Sequence, residues 1–276
     1  MLVKPKKLSY QKGFQREIAC KRFDPKSYLN KVKIPFLIQS DYGYKLACEM
    51  VECPDRKENK IAILCHGYGY AKYTSIKYMD MFLRLGYSVL MYDHRSHGQS
   101  GKALISMGYY EKYDLKKVVD WCYDRYGSDC SIITHGESMG ASTVLLHLGI
   151  DPRIKCAVAD CPYSDLTLLL RHQLKMYYHF PGFLLPVESQ LTYLRAGFRY
   201  NQVSPIKVVK GLQTPVLFIH GKRDSYVPAD MTKQMYAEKP KNKGLYLVAK
   251  AKHAASYCTN KEGYERRVEE FLNKYQ

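Results

Sequence analysis

The stretch GESMG at residues 136–140 decides the fold of this 276-residue chain. It follows a short apolar run of strand length at residues 131–134 and leads directly into a helical pattern at residues 141–148. A nucleophile elbow needs small residues two positions before and two positions after its serine, because the turn from strand to helix leaves no room for side chains. The two glycines and this context therefore favour Ser138 as a nucleophile held at a helix N-terminus.

Short apolar runs alternate with helical patterns on both sides of this motif. The runs of strand length lie at residues 61–65, 88–92, 131–134, 156–159, 216–219 and 245–248. They are apolar on both faces, which is typical of parallel strands covered by helices. Residues 34–52 read as two strands around the turn at residues 41–43 and predict an opening antiparallel hairpin. The pattern predicts an α/β fold with a doubly wound, mostly parallel sheet, whose ligands lie at the carboxyl ends of the strands.

The cap segment, residues 163–205, separates two predicted strands and is too long for a simple crossover. It contains two apolar stripes with helical spacing: Leu166, Leu169, Leu170 and Leu174, then Leu191, Leu194 and Phe198. We interpret the segment as an inserted helical cap, and one ordinary long helix followed by a loop is the alternative.

The proposed nucleophile requires a base and an acid. A serine hydroxyl is a poor nucleophile until a neighbouring base takes its proton, and a carboxylate usually orients that base. His253 is the last histidine of the chain and follows the last predicted strand. Asp224 lies in a turn-rich loop after the preceding strand, and Asp160 at the end of an earlier strand is the alternative acid. Because the order serine, aspartate, histidine accompanies this elbow, we predict Ser138 as nucleophile, His253 as general base and Asp224 as orienting acid.

A tetrahedral intermediate needs two backbone donors for its oxyanion, and losing one typically costs about 3 kcal/mol of transition-state stabilisation. The N–H of Met139, directly after the nucleophile, is one candidate. The second donor should come from the HGYG loop, residues 66–69, which follows the predicted strand at residues 61–65. Tyr68 N–H is the candidate there, and a tight turn without this role is the alternative.

With these features in order, the chain resembles the α/β-hydrolase superfamily from about residue 35 to its end. Residues 93–100 read DHRSHGQS. They look like the Asp-x-Arg-x-x-Gly-x-Ser loop of the monoacylglycerol-lipase, serine-aminopeptidase and cinnamoyl-esterase group, in which the loop is structural. The resemblance implies a carboxylic ester or related acyl substrate, a cap over the pocket and no cofactor. It leaves esterase, lipase, thioesterase and peptidase open.

We predict a serine hydrolase that cleaves carboxylic esters or related small acyl compounds through an acyl-enzyme on Ser138. A serine-aminopeptidase-like peptidase or a thioesterase is the main alternative, and a non-catalytic hydrolase-like binding domain is the remote one. The peptidase needs an anionic site for the substrate amine, for which the cap segment offers Asp165 and Glu188. The apolar residues of the cap segment favour an acyl or aryl pocket. Its cations either contact an acidic group or solvate the outer face: Arg171, Lys175, Arg195 and Arg199.

Positive charge is concentrated at the N-terminus of a chain whose formal net charge is +17. Residues 1–33 contain ten Lys and Arg against Glu17 and Asp24. We divide the chain into this basic N-terminal arm and a hydrolase domain at residues 34–276. The arm is solvated, is in weak contact with an anionic membrane surface, or favours acidic substrates by electrostatic steering. No helix-turn-helix, RNP-like or zinc-finger pattern points to nucleic acid, so that partner is not expected.

The nine cysteines are scattered singly, several of them inside apolar patterns such as those around Cys65, Cys122 and Cys156. We interpret them as reduced core residues. No pair has the spacing of a zinc site, so we expect no structural metal. No apolar run of signal-peptide length follows the basic N-terminus, and none reaches the roughly 18 residues of a membrane span, so we expect a cytoplasmic location.

Overall fold

The structure, a computed structural model, describes residues 9–54, 59–179 and 182–275. The strands are β1 (Ile34–Gln39), β2 (Lys45–Val51), β3 (Lys60–Cys65), β4 (Ser88–Tyr92), β5 (Ser131–Glu137), β6 (Cys156–Asp160), β7 (Val216–Gly221) and β8 (Lys243–Val248). The α-helices are α1 (Tyr10–Ala19), α2 (Pro25–Leu29), α3 (Ile76–Arg84), α4 (Glu111–Tyr126), α5 (Met139–Leu148), α6 (Leu166–Gln173), α7 (Leu185–Ala196), α8 (Pro205–Val209), α9 (Ala229–Glu238), α10 (Ser256–Thr259) and α11 (Lys261–Tyr275). Short 3-10 segments lie at Lys72–Ser75, Gly182–Leu184 and Tyr200–Gln202, and a π-helical turn at Leu174–Tyr178.

All eight strands of the described chain form one sheet in the order β1-β2-β4-β3-β5-β6-β7-β8. β1 pairs with β2, and β2 with β4, in antiparallel register, whereas the remaining pairs are parallel. Each predicted apolar run lies inside an observed strand. The predictions of a mostly parallel, doubly wound sheet and of an opening hairpin are therefore confirmed.

Both faces of the sheet are buried, which explains why its strands are apolar throughout. Along β3, Ala62 and Leu64 face one core that α3 and α11 complete. Ile61 and Ile63 face the opposite core, with α4 and α5. Successive side chains of a strand point to opposite faces, so a strand covered on both sides needs an apolar residue at every position. Each large aliphatic side chain buried in this way contributes about 1.5–3 kcal/mol.

The cap segment forms α6, the π-helical turn and α7 between β6 and β7, while its Phe180 and Pro181 lie outside the described residues. Leu166 and Leu169 of its first stripe are buried in a third core that also contains Met139 of α5. The second stripe behaves differently, because two of its members, Leu191 and Leu194, are exposed. The segment is thus anchored to the elbow helix mainly by α6 and by residues after α7.

The described part of the N-terminal arm packs on the hydrolase domain, whereas residues 1–8 of the arm lie outside the described residues. Tyr28 of α2 is buried in the core beside α3, and its hydroxyl donates to a carboxylate oxygen of Glu49 at 2.7 Å. Ser27 donates to Asp80 of α3 at 2.7 Å. These contacts fix α2 against the antiparallel edge of the sheet and against α3.

The cysteines, all of which are described, form no disulfide, and seven of the nine are buried: Cys48, Cys53, Cys65, Cys122, Cys130, Cys156 and Cys161. Among the helices that the structure describes, none combines the length and the apolar character that a membrane crossing requires.

Candidate active site

The GESMG stretch forms a sharp turn between β5 and α5. Ser138 adopts φ 56° and ψ −116°, a left-handed conformation that is costly for a residue with a side chain. A Cβ at Gly136 would overlap the backbone of Gly140, and a Cβ at Gly140 would overlap the carbonyl oxygen of Cys65. Both glycines are therefore required by close backbone approach. The turn leaves the Ser138 side chain at the carboxyl edge of the sheet, at the N-terminus of α5.

Ser138, His253 and Asp224 form one chain of hydrogen bonds. The Ser138 hydroxyl lies 2.9 Å from His253 Nε2, and His253 Nδ1 lies 2.7 Å from Asp224 Oδ2. Because the carboxylate accepts from Nδ1–H, Nε2 is left as the acceptor for the serine proton. The carboxylate of Asp160, the alternative acid, interacts elsewhere: its Oδ2 accepts from the Tyr78 hydroxyl at 3.4 Å. Of the two candidate acids, the structure thus brings Asp224 to the histidine.

Asp224 is held as an anion by several donors. Its Oδ1 accepts the N–H groups of Tyr226 and Val227 at 2.9 Å each, and His220 Nε2 donates to its Oδ2 at 3.2 Å. Burial by itself would raise the pKa of Asp224, but the hydrogen bonds from His220 and His253 outweigh it and lower the pKa to about 2. The carboxylate therefore stays ionised and can stabilise an imidazolium.

His220 is a site residue that the sequence analysis did not assign. Its Nε2–H also donates to Val227 O at 2.9 Å, and its Nδ1 accepts from the Thr232 hydroxyl at 2.7 Å. A carbonyl oxygen only accepts, so the proton must be on Nε2, and the tautomer is fixed. The one signal in the sequence is that His220 lies at the end of a buried strand, four residues before Asp224.

The HGYG loop lies directly beside the nucleophile. A Cβ at Gly67 would meet Ser138 Cβ at 3.5 Å, an ordinary van der Waals contact. Tyr68 lines the same cavity as Ser138 and His253. Met139 begins α5, where main-chain N–H groups lack acceptors within the helix. The two predicted oxyanion donors thus belong to backbone segments that flank the nucleophile.

Two histidines fix the HGYG loop to the neighbouring loop at residues 93–100. His66 Nε2 accepts a main-chain N–H of that loop at 3.0 Å, and its Nδ1–H donates to Gly67 O at 2.8 Å. His97 Nε2 accepts from Gly69 N–H at 3.0 Å, and its Nδ1–H donates to a main-chain oxygen at 2.9 Å. Burial lowers the pKa of His66 to about 4, which keeps this ring neutral and able to accept.

The loop at residues 93–100 is itself held by ionic contacts. The Asp93 carboxylate accepts from Lys72 Nζ at 3.0 Å and from Lys72 N–H at 2.7 Å. Arg95 Nε donates to Asp114 at 2.7 Å. Ser100 returns to the start of the loop, where its hydroxyl donates to Asp93 O at 2.6 Å. The motif residues therefore support the HGYG loop from behind.

A cavity of about 330 Å³, here called the catalytic cavity, opens at Ser138. It is lined by Glu17, Arg22, Gly67, Tyr68, Tyr70, Thr74, Lys77, Glu137, Ser138, Tyr226, His253 and Ala254. Within the described ranges, this lining comes from α1 and the turn after it, the HGYG loop, the following 3-10 segment and α3, and the triad loops, and none of it from the cap segment. The segment reaches the site indirectly: the Tyr177 ring lies 6.0 Å from that of Tyr226, which lies 5.0 Å from the His253 ring.

One group of possible metal ligands overlaps the triad. Atoms of Cys161, Asp224 and His253 lie within 4.8 Å of one another. Burial raises the pKa of the Cys161 thiol well above its usual range, so the thiol stays protonated. Two of these three groups already bind each other, because the Asp224 carboxylate accepts from His253 Nδ1 at 2.7 Å.

The fold and this site define an α/β-hydrolase. The model of the prolyl oligopeptidase family matches residues 73–276, and the chain belongs to that family. The protein YqkD of Bacillus subtilis (strain 168) is 41% identical over 250 residues, which are 90% of this chain and 81% of YqkD.

Two solved structures show how the fold is shared. The esterase Pf2001 of Pyrococcus furiosus matches with a TM-score of 0.77 and 24% identity over 100% of this chain and 98% of the esterase. The acylaminoacyl peptidase of Pyrococcus horikoshii matches with a TM-score of 0.69 and 17% identity over 92% of this chain and 43% of the peptidase. Together with the family match, these likenesses identify the chain as a serine hydrolase of the α/β-hydrolase fold.

Proposed function

We propose that the protein hydrolyses carboxylic esters through an acyl-enzyme on Ser138. The observation that carries the proposal is the unbroken hydrogen-bond chain from Ser138 through His253 to Asp224. Ser138 Oγ attacks the ester carbonyl while His253 Nε2 takes its proton, and the imidazolium then protonates the leaving alcohol. His253 Nε2 then takes a proton from water as the water oxygen attacks the acyl-enzyme, and the imidazolium returns that proton to Ser138 Oγ as the acid is released.

The oxyanion of each tetrahedral intermediate is held, in this proposal, by the N–H groups of Tyr68 and Met139. Support comes from the position of the HGYG loop against Ser138 and from the start of α5 at Met139. The partial positive charge at the N-terminus of α5 favours a negative charge at the same place. The histidine contacts behind the loop keep its backbone in place as charge develops, as preorganised stabilisation requires.

The size of the catalytic cavity favours a small substrate such as a short ester. Its volume of about 330 Å³ is near the lower end of the roughly 300–1,000 Å³ of ligand pockets, which suits a short acyl or aryl group. A peptidase is the second candidate, and the anionic residues Glu17 and Glu137 in the lining favour it, since a substrate amine needs such a group. Glu137, however, already accepts from Lys77 and from the Tyr78 hydroxyl. A thioesterase would use the same chemistry.

Hydrolysis of nitrophenyl esters of increasing acyl length, compared between the wild type and Ser138→Ala, tests the proposal. Loss of a triad nucleophile typically lowers kcat about 10⁶-fold. Ser128→Ala, at an exposed loop serine, is the matched control and should leave kcat unchanged. Activity on peptide or thioester substrates but on none of the nitrophenyl esters would contradict the ester assignment and favour one of the other two activities.

We also propose a cytoplasmic location and a weak contact of the N-terminal arm with an anionic membrane surface. Tyr28 of the arm belongs to the core, so the membrane contact is tested by substitutions and not by deleting the arm. Three exposed lysines of the arm are replaced with glutamine: Lys12, Lys21 and Lys26. Binding to anionic vesicles at low salt should weaken in the triple variant. Unchanged binding, or none in the wild type, would contradict the contact.

A further inference from the structure

Helix α1 is fixed beside the catalytic cavity by close ring contacts. Gly13 faces Tyr73 so closely that a Cβ there would overlap the tyrosine hydroxyl. The Tyr10 ring meets the Tyr73 ring edge-on with centroids 5.2 Å apart, and Lys72 Nζ lies 5.0 Å from the Tyr10 centroid. Arrangements of this kind stabilise a pair by about 0.5–1.5 kcal/mol beyond the area they bury. The helix is therefore a built part of the cavity wall.

The turn after α1 is fixed as well. Phe14, Phe23 and Tyr28 form a cluster with ring centroids 5.8–6.2 Å apart, which joins α1, the turn and α2. Since Tyr28 is itself buried in the core, this cluster anchors the turn to the domain. The turn places Arg22 in the lining of the catalytic cavity.

Glu17 and Arg22 bring one negative and one positive charge into the lining. The side chain of Glu17 is 8% exposed and that of Arg22 is 32% exposed. Arg22 Nε lies 3.9 Å from the Glu17 carboxylate, and Arg22 Nη1 lies 3.5 Å from the carbonyl oxygen of Ala254, next to His253. Both distances are at or beyond the outer limit of a hydrogen bond, and the Cys258 side chain is a further hydrogen-bond partner of a guanidinium that carries five N–H donors. Arg22 therefore retains capacity for a ligand.

Lys77, the other lysine or arginine in the described cavity lining, already has an ion-pair partner. Lys77 is buried, and its Nζ forms an ion pair with the Glu137 carboxylate. The same carboxylate accepts from the Tyr78 hydroxyl at 2.6 Å. Of the lysines and arginines that line the cavity in the described chain, Arg22 is thus the one with loosely held donors and the more accessible head group.

We propose that Arg22 binds a carboxylate at the far end of the acyl group, so that the enzyme prefers half-esters of short dicarboxylic acids. The assignment rests on the proposed esterase function and adds the substrate class. A guanidinium matches a carboxylate with two parallel hydrogen bonds, and a partly dehydrated site strengthens them. Glu17, whose carboxylate lies 3.9 Å from Arg22 Nε, lines the same cavity but exposes much less of its side chain than Arg22 does.

In this proposal, the acidic group of the substrate binds to the turn after α1. From the sequence, cations of the cap segment are candidates for the same role. Those cations contribute nothing to the described cavity lining. Arg199, for example, stacks on the Tyr193 ring at 3.8 Å and donates to Gln190, both within the cap segment. Arg22 differs because it shares the cavity with Ser138.

The test compares two esters of equal length, monomethyl glutarate and methyl pentanoate, by acid release in a pH-stat. Removing a hydrogen bond to a charged group typically lowers binding about 10- to 100-fold. The ratio of kcat/KM for glutarate over pentanoate should therefore fall at least about 10-fold in Arg22→Gln. Arg16→Gln, at an exposed arginine of the neighbouring helix α1, is the matched control and should leave the ratio unchanged.

Equal effects of Arg22→Gln on both esters would overturn the assignment. A second result would also overturn it: the wild type prefers the cationic ester methyl 5-aminopentanoate, and Glu17→Gln abolishes that preference. Glu17 would then be a binding site for an amine. If the wild type cleaves no ester, the esterase proposal fails separately. In that case, ligand-observed NMR measures the binding of monomethyl glutarate to Ser138→Ala, with and without the additional substitution Arg22→Gln. Loss of binding on adding Arg22→Gln supports the Arg22 site. Unchanged binding, or no binding to Ser138→Ala itself, overturns it.

Discussion

His220 is expected to act as a positioning residue for the triad, through Asp224. Its Nε2–H donates both to Asp224 Oδ2 and to Val227 O, so it ties the acid to the backbone of its own loop. His220→Leu removes the donor and leaves Val227 O without it. His220→Gln places an amide N–H near the position of Nε2 and should restore most of the contact.

The size of the effect follows from the hydrogen bonds that remain. Asp224 keeps three donors, namely His253 Nδ1 and the N–H groups of Tyr226 and Val227. The lost contact, at 3.2 Å, is the longest of the set, so the lower end of the range for a charged hydrogen bond applies, about 1.5 kcal/mol. We therefore expect kcat/KM to fall about 10-fold in His220→Leu, far less than the roughly 10⁴-fold loss that follows when a triad acid cannot hold its histidine.

The assay is kcat/KM on nitrophenyl butyrate for the wild type, His220→Leu and His220→Gln, with thermal unfolding of each protein as a control for stability. The positioning role predicts that glutamine recovers most of the activity that leucine loses. If leucine and glutamine lower kcat/KM equally, or if His220→Leu stays within two-fold of the wild type, the reasoning about the Asp224 contact is refuted.

Two further predictions concern stability. Gly140→Ala should lower the free energy of unfolding, measured in urea, by about 3 kcal/mol, because its Cβ would overlap Cys65 O. Gly211→Ala is the control and should change this free energy little, because the nearest atom to its Cβ would be 4.0 Å away. Equal losses in the two variants would contradict the prediction. The Asp224 carboxyl, with its pKa lowered from 3.8 to about 2, contributes about 2 kcal/mol above pH 4, lost as the pH falls through 2. The difference in unfolding free energy between wild type and Asp224→Asn should shrink over that window, and a constant difference would contradict it.

The sheet and the elbow could be predicted from the sequence because local pattern determines both. Strands buried on two faces must be apolar at every position. Apolar runs such as residues 61–65 and 88–92 can therefore be recognised as strands without an alignment. The elbow was predictable because its backbone excludes a Cβ at Gly136 and Gly140. Asp224 was preferred over Asp160 by its place in a turn-rich loop, and the structure brings Asp224 to the histidine.

The supporting contacts could not be predicted, because they depend on three-dimensional packing. Nothing in the spacing of His66 or His97 indicates that their rings fix the HGYG loop, and His220 carries no motif. The second apolar stripe of the cap segment also misleads, since helical spacing indicates a helix but not which surface covers it. Leu194 is 72% exposed although its stripe has the same spacing as a buried one.

For charge, the number of charged residues in the sequence and their positions in the structure lead to different conclusions. The sequence shows the N-terminal arm as a block of positive charge, which suggests long-range attraction to a surface. In the structure, Lys12, Lys21 and Lys26 are exposed, while Glu17 and Arg22 turn inward to the catalytic cavity. The exposed lysines are screened within about 10 Å at 0.1 M salt, but a charge in a partly buried cavity is screened much less. A substrate carboxylate would therefore meet Arg22, a single cation of the arm, more strongly than the lysines that dominate the count.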